Sequence, residues 1–252
     1  MKLNEVVLTE LEKLLKKYKI RNYTIREDGL VDVNGGVNIS RGKFSKIPIK
    51  FGKITDYFNC SYNKYLTSLE DAPQEVGGSF ICEVCDNLTS LEGCPQEIGR
   101  NFDCYMCHKL LSLVGGPTKV GGSYNCGVCI KLTNLKGCPQ EINGDFNCHS
   151  NDKLISLEYG PQIVHGDYNC YDCRNLTSLK YLPKRLTSSL NVRMTSKVKD
   201  YLSIFKIEGI TDFRTDNAVI EKIINKYLPK RDMLNCQDEL IEAGFEEYAE
   251  VD

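Results

Sequence analysis

Few of the features that usually announce an activity are present in this chain. It has no tryptophan and only three histidines, His108, His149 and His165. None of these has a serine or aspartate at the spacing of a catalytic set, and the glycine pairs recur as turn residues rather than as a phosphate-binding loop. No enzymatic chemistry is therefore expected. No apolar run approaches the roughly 18 residues that span a bilayer, and the opening Met1-Lys2-Leu3-Asn4-Glu5 lacks the apolar core of a signal peptide. A net charge of −2 points to neither nucleic acid nor a membrane surface as partner. The expectation is a cytosolic (cytoplasmic) protein with no cofactor, and no feature of the sequence sets its oligomeric state.

What the chain does have is a repeat. Residues 57–188 divide without a gap into six segments of 22 residues. An aromatic recurs at Phe58, Phe80, Phe102, Tyr124, Phe146 and Tyr168, and two residues later comes Cys60, Cys82, Cys104, Cys126, Cys148 or Cys170. Each copy then has a leucine pair, from Leu66 and Leu69 to Leu176 and Leu179, a proline from Pro73 to Pro183, and an aliphatic from Val76 to Leu186. A fixed period in this range is the signature of a solenoid whose units bury their apolar faces only against their neighbours. Aromatic-x-Cys has the alternation of a short strand with both named side chains inward. The leucines turn the chain and the proline with its following turn residues brings it back.

A third anchor reads Asn63, Cys85, Cys107, Cys129, Asn151 and Cys173. With it, the run aromatic-x-Cys-x-x-(Asn/Cys)-x-x-Leu-x-x-Leu resembles the leucine-rich repeat. That resemblance implies an α/β solenoid: a right-handed coil with a parallel β-sheet on its concave face and helical caps at both ends. It also implies that the Asn or Cys turns inward to hydrogen-bond the loop backbone. The stretches Leu88-Thr89-Ser90-Leu91-Glu92-Gly93-Cys94-Pro95-Gln96-Glu97-Ile98 and Pro73-Gln74-Glu75-Val76-Gly77-Gly78-Ser79-Phe80 are also similar to repeat proteins of large tailed bacteriophages. This likeness implies origin and fold more than activity, and makes the infected host cell the compartment.

The flanks are expected to close the array. Residues 1–30 form a cap with an amphipathic helix over 3–18, and residues 31–56 a degenerate first repeat in which Phe44, Ile47 and Ile54 foreshadow the leucines and the aliphatic. Residues 189–252 form the other cap. Leu190 and Val192 keep the strand alternation, and Val198, Tyr201, Leu202 and Phe205 suit a short helix. Asp216 is placed to cap a helix that ends before Pro229, and a third helix over 237–248 has Leu240, Ile241 and Phe245 inward. The tail 233–252 contains no Lys or Arg and follows a basic stretch with Lys184, Arg185, Arg193, Lys197, Lys199, Lys206 and Arg214. The two charge sets partly offset one another; a basic edge for an acidic partner is the sharper reading.

Thirteen cysteines suggest zinc or disulfides, and the pairs Cys82/Cys85 and Cys104/Cys107 have ribbon-like spacing. A third pair in register, Cys126/Cys129, has no mate, and Asn63 and Asn151 replace two of the cysteines. A structural ladder of small buried thiols is expected instead, with no metal. Equivalent cysteines on paired strands about 4.8 Å apart lie within bridging range, but a cytosol keeps them reduced.

The strand residues between the inward ones present a surface. One column is nearly all asparagine: Asn59, Ile81, Asp103, Asn125, Asn147, Asn169, Asn191. The next two vary, and from the three columns Ile81, Glu83, Val84, Asp103, Tyr105, Met106, Val128, His149, Tyr171, Asp172 and Arg193 are expected to contact a protein partner. Ile81, Val84 and Val128 are expected to be exposed and apolar. The function expected is stoichiometric binding of a host or phage protein, with a phage inhibitor that blocks or sequesters a host defence protein as the sharpest form. A virion structural or assembly role is the alternative, and a zinc-dependent fold or enzyme a third.

Overall fold

Each coil contributes two strands because two short stretches alternate inward and outward side chains. In Phe58–Asn59, Phe80–Ile81, Phe102–Asp103, Tyr124–Asn125, Phe146–Asn147 and Tyr168–Asn169 the aromatic is buried and its neighbour half-exposed. In Glu75–Val76, Glu97–Ile98, Lys119–Val120, Glu141–Ile142 and Ile163–Val164 the second, aliphatic residue is buried. A computed structural model describes residues 5–195 and 197–249, and stacks these stretches into two nine-stranded sheets.

The first sheet runs from Val37–Asn38 through the six aromatic strands to Ser189–Asn191 and Asp212–Arg214, all parallel. The second runs from Phe51–Ile54 through the five aliphatic strands to Arg185–Leu186, also parallel. At its start Val31–Val33 pairs parallel with Phe51–Ile54, and Tyr23–Ile25 pairs antiparallel with Val31–Val33. The molecule is a parallel β-solenoid. Its register is unbroken: Phe58 faces Phe80, which faces Phe102, and so on to Tyr168 and Leu190.

The second sheet lies where the leucine-rich-repeat pattern predicts a returning loop. The β-branched Val76, Ile98, Val120 and Ile142 explain it, since they point inward from a half-buried surface that suits such side chains. The amides that follow hold the stack, with Gly77 donating to Ile54 O at 2.9 Å and Gly99 to Val76 O at 3.0 Å.

One ring per coil forms a column in the core. Successive centroids from Phe51 to Tyr168 are 4.9 to 6.0 Å apart, within the range aromatic pairs prefer. Phe102 and the leucine pair Leu110 and Leu113 are fully buried. The residue before each proline is matched in size to the ring eight positions later. Cys94 goes with Phe102 and Cys138 with Phe146, but Gly116 goes with Tyr124 and Gly160 with Tyr168. A Cβ at Gly116 would lie 2.9 Å from Leu91 Cδ1 and 3.6 Å from the Tyr124 hydroxyl. At Gly160 it would lie 3.0 Å from Leu135 Cδ1 and 3.3 Å from the Tyr168 hydroxyl. The larger ring is accommodated by deleting the side chain above it. Both phenol hydroxyls are buried with no hydrogen-bond partner among the described residues.

Polar positions that look featureless in sequence are side-chain ladders. Asn101, Ser123, Asp145 and Asp167 each accept from the backbone N–H one coil on, at Ser123, Asp145, Asp167 and Ser189, over 2.9 to 3.0 Å. Between the leucines, Ser68, Ser90, Ser112, Asn134, Ser156 and Ser178 accept from the amide two residues on, closing the same turn in every coil.

Helices lie at the two ends of the chain. In α1 (Glu5–Lys17) Leu15 is buried, and Leu11, Leu14 and Tyr18 pack against the core. A 3-10 helix covers Tyr201–Lys206, α2 spans Ala218–Tyr227 and α3 spans Met233–Glu242. Three expectations change here. Asn217, not Asp216, caps α2 by accepting from Val219 and Ile220, while Asp216 accepts from Met194 N at 2.6 Å, where a further coil would have put a carbonyl. The last helix begins four residues earlier than expected and ends at Glu242, ahead of Gly244, which takes a left-handed φ of 82°. Ile241 is 44 % exposed rather than inward. The outward backbone groups of the last strand of the first sheet are bonded by side chains. Asn225 of α2 both accepts from Phe213 N (2.9 Å) and donates to Phe213 O (2.8 Å), and Glu221 accepts from Thr215 N (2.8 Å).

Candidate functional site

The candidate surface begins where each aromatic strand ends. The near-uniform asparagine column closes that end: Asn59, Asp103, Asn125, Asn169 and Asn191 each accept, through Oδ1, the N–H two residues on at 2.9 to 3.1 Å. Asp103 is half-buried, and burial raises its carboxyl above the usual range. The third column then leaves the strand altogether. Tyr62, Val84, Met106, Val128, Ser150, Asp172 and Met194 all adopt left-handed φ values of 54° to 58°. For a residue with a Cβ this costs about 1–2 kcal/mol. It is offset by stacking, since the same amides donate to the next coil, Val84 to Tyr105 O and Val128 to His149 O at 2.8 Å. The sequence expectation placed these residues on a strand; they are turn residues splayed from it.

Exposure also differs. Ile81, Val84 and Val128 are half-buried, as are Glu83, Tyr105, Met106 and His149, whereas Tyr171 and Arg193 are exposed. The expected apolar patch of Ile81, Val84 and Val128 is thereby reduced, because neighbouring coils stack close enough to cover much of each side chain. Ser61 and Gly127 in the middle column are buried.

The bare Gly127 creates the most organised part of the face. His149 Nε2 lies 2.6 Å from where a Gly127 Cβ would be, so the imidazole lies across that coil and reaches Tyr105 at a ring distance of 5.8 Å. His149 Nδ1 is 3.2 Å from Ser150 Oγ, which donates to Asp172 Oδ2 at 3.4 Å, and Asp172 is bridged by Arg174 at 2.6 Å. Burial lowers the pKa of His149, with Asp172 opposing. In a hydrolytic triad the imidazole sits between acid and serine. Here the serine sits between, so the chain of contacts fixes the ring rather than activating the hydroxyl. The one mark of this grouping in the sequence is the single glycine in a column of larger side chains.

No family model, curated protein or solved structure matches this chain. Its chemistry rests on its own geometry alone. Arg193 is turned toward α2, bonding Thr215 O at 3.3 Å and Glu221 at 3.2 Å, so it belongs as much to the end of the stack as to the face. In the basic stretch, Lys199 bridges Glu247 at 3.2 Å and Arg214 bridges Asp212 at 2.7 Å. His108 pairs with Asp86 and His165 with Glu141.

Behind the face lie the thiols. All thirteen cysteines are free and buried. The second cysteine of a coil donates to the carbonyl of the first cysteine of the coil before: Cys107 to Cys82 O at 3.2 Å, Cys129 to Cys104 O at 3.3 Å, Cys173 to Cys148 O at 3.2 Å. Asn151 does the same to Cys126 O at 3.0 Å, which is why the two residue types interchange. These thiol hydrogen bonds therefore run diagonally from one coil to the one before. For Cys82 and Cys104 the hydrogen bond to Cys107 or Cys129, then burial, pushes the thiol well up; for Cys126 and Cys138 burial leads. Among the described residues no three His, Cys, Asp or Glu side chains converge as a metal site, and no helix is long and apolar enough to cross a membrane.

Apolar side chains more exposed than those of the strand-end face lie elsewhere on the coils. On the Leu-x-x-Leu side, Leu111 is 56 % and Ile155 60 % exposed. The signal was available in sequence: both depart from a column that otherwise reads Thr67, Thr89, Thr133 and Thr177.

Proposed function

We propose that this chain is a non-catalytic binding protein: a leucine-rich-repeat-type solenoid, closed at its ends by the terminal helices, whose strand-end face engages another protein. The observation that supports this most directly is the contrast between columns. Inward positions repeat almost without change, and the asparagine column is tied up in turn closure. The positions beside it change from Glu83 to Tyr105, Gly127, His149 and Tyr171 while sharing one line. Tyrosine and methionine at such positions are the types enriched at interface centres. A phage origin, implied by Thr89-Ser90-Leu91-Glu92-Gly93, makes a host protein the partner to seek, one that the solenoid blocks or sequesters.

Affinity capture with the tagged full chain from infected cells tests the reading. Tyr105→Ala and Tyr171→Ala are expected to lose the captured host protein with an unchanged melting temperature. Phe102→Ala, which empties the aromatic column, costs about 3–5 kcal/mol of stability instead. Capture undiminished by both tyrosine substitutions would remove this face from the function.

A further inference from the structure

Leu111 and Ile155 stand two coils apart with Thr133 between them. Neighbouring strands are spaced by about 4.8 Å, so the two aliphatics are separated by about 10 Å along the stack. Val114, three residues after Leu111, and Ile130, three before Thr133, are each 42 % exposed. Beside Leu111 and Ile155 runs a column of lysines, one per coil: Lys109, Lys131 and Lys153, all exposed. Lys109 reaches Asn87 Oδ1 at 2.6 Å, and among the described residues no carboxylate bridges any of the three. Like charges stacked at this spacing repel one another, so the column favours an acidic partner.

A matching surface exists on the same chain. On α3, Leu234 is 70 % and Ile241 44 % exposed, while Cys236 and Leu240 on the opposite side are buried. Residues seven apart share a helix face and are separated by about 10.5 Å along the axis, close to the spacing of the Leu111–Ile155 pair. Asp238 lies between them and Glu242 adjoins Ile241, both exposed. An α3 laid along the stack would set its two aliphatics against the aliphatic patch and turn its carboxylates toward the lysine column.

We propose that the Leu111–Ile155 face docks α3 of a second copy of this chain, with Asp238 and Glu242 against Lys131 and Lys153. The two patches are different surfaces of one chain, so the contact is heterologous and extends head to tail instead of closing as a two-fold dimer. It uses none of the strand-end residues, and its test is independent of the host partner.

Sedimentation velocity of the full chain over a concentration series, at low and high salt, tests this. The expected result is a sedimentation coefficient that rises with concentration, less steeply in high salt because charge pairs at the surface are screened. Lys131→Glu with Lys153→Glu should weaken association by about tenfold or more, and Ile155→Ser should do likewise. All these positions are exposed, so melting temperatures should not move, and Tyr105→Ala should associate as the parent does. Adding Asp238→Lys and Glu242→Lys to the lysine variant should restore association. A monomer at every concentration, or association indifferent to the lysine reversal, or no rescue by the second reversal, would each overturn the proposal. So would a chain that stays monomeric yet floats with vesicles containing anionic lipid, which would assign the face to a membrane surface.

Discussion

The pairing of Gly116 with Tyr124 makes a quantitative prediction about how this core is specified. The Tyr124 hydroxyl is buried without a hydrogen-bond partner among the described residues, a condition that costs about 1–3 kcal/mol. Tyr124→Phe removes that cost and leaves a void of one oxygen, worth about 0.5 kcal/mol at roughly 24 cal/mol per Å³. The single substitution should stabilise by about 1 kcal/mol. Gly116→Cys alone adds a Cβ 3.6 Å from the Tyr124 hydroxyl, and a sulfur beyond it, in a space already tight against Leu91 Cδ1 and Leu113 O at 2.9 Å, and should destabilise by about 1–3 kcal/mol, as overpacking does. Gly116 is not among the left-handed glycines, so backbone strain adds nothing. The double variant recreates the Cys94/Phe102 and Cys138/Phe146 arrangement that the fold already uses. Its cost should therefore be much smaller than that of Gly116→Cys, giving a coupling of about 1–3 kcal/mol between the two sites. Urea unfolding of the four proteins, followed by far-ultraviolet circular dichroism, measures it. Additivity within about 0.5 kcal/mol would refute the size-matching argument.

Three further outcomes follow from features of the stack. Asn225→Ala leaves both backbone groups of Phe213 unpaired at the sheet edge and should cost about 1–3 kcal/mol in urea unfolding; Asn225→Asp, which accepts but cannot donate, should fall between. A thiol reagent in excess should modify essentially none of the thirteen cysteines in the native protein and all of them in denaturant, because a buried sulfur is out of the reagent's reach; rapid labelling of several native thiols would contradict the ladder. Burial holds the His149 pKa below its ordinary value, so below about pH 6.5 the unfolded chain binds the extra proton first and stability falls with decreasing pH. His149→Gln should make the urea midpoint flatter between about pH 7.5 and about pH 5.5, and an unchanged slope would exclude His149 as the cause.

The coil was legible in the sequence because its period is constant and its inward positions are chemically narrow. The interchange of Asn and Cys at one anchor was legible for the same reason, since either side chain can donate to the same carbonyl. The second sheet was not legible. Two-residue strands such as Glu97–Ile98 leave too little alternation to tell from a loop, and only the stacked partner makes them strands. On the surface, sequence identified which columns vary but not how far neighbouring coils cover them, so Val84 and Val128 were over-exposed in expectation. It also took the third column for strand, because left-handed backbone at valine or methionine has no compositional mark. In the last helix, spacing points Ile241 inward, yet spacing alone does not say where the helix begins.

The unbroken register constrains how such a chain can change length. Deleting or duplicating any 22 consecutive residues within 57–188 returns every strand to a partner in phase, so recombination between copies yields shorter or longer relatives without inventing a new join. The matched residue and ring, however, are eight positions apart. A crossover falling between Gly116 and Tyr124 would hand a tyrosine to a cysteine or a phenylalanine to a glycine, trading a clash for a hole. Between unlike copies, viable crossovers are confined to the rest of the period, and the lineage's joints should be found there.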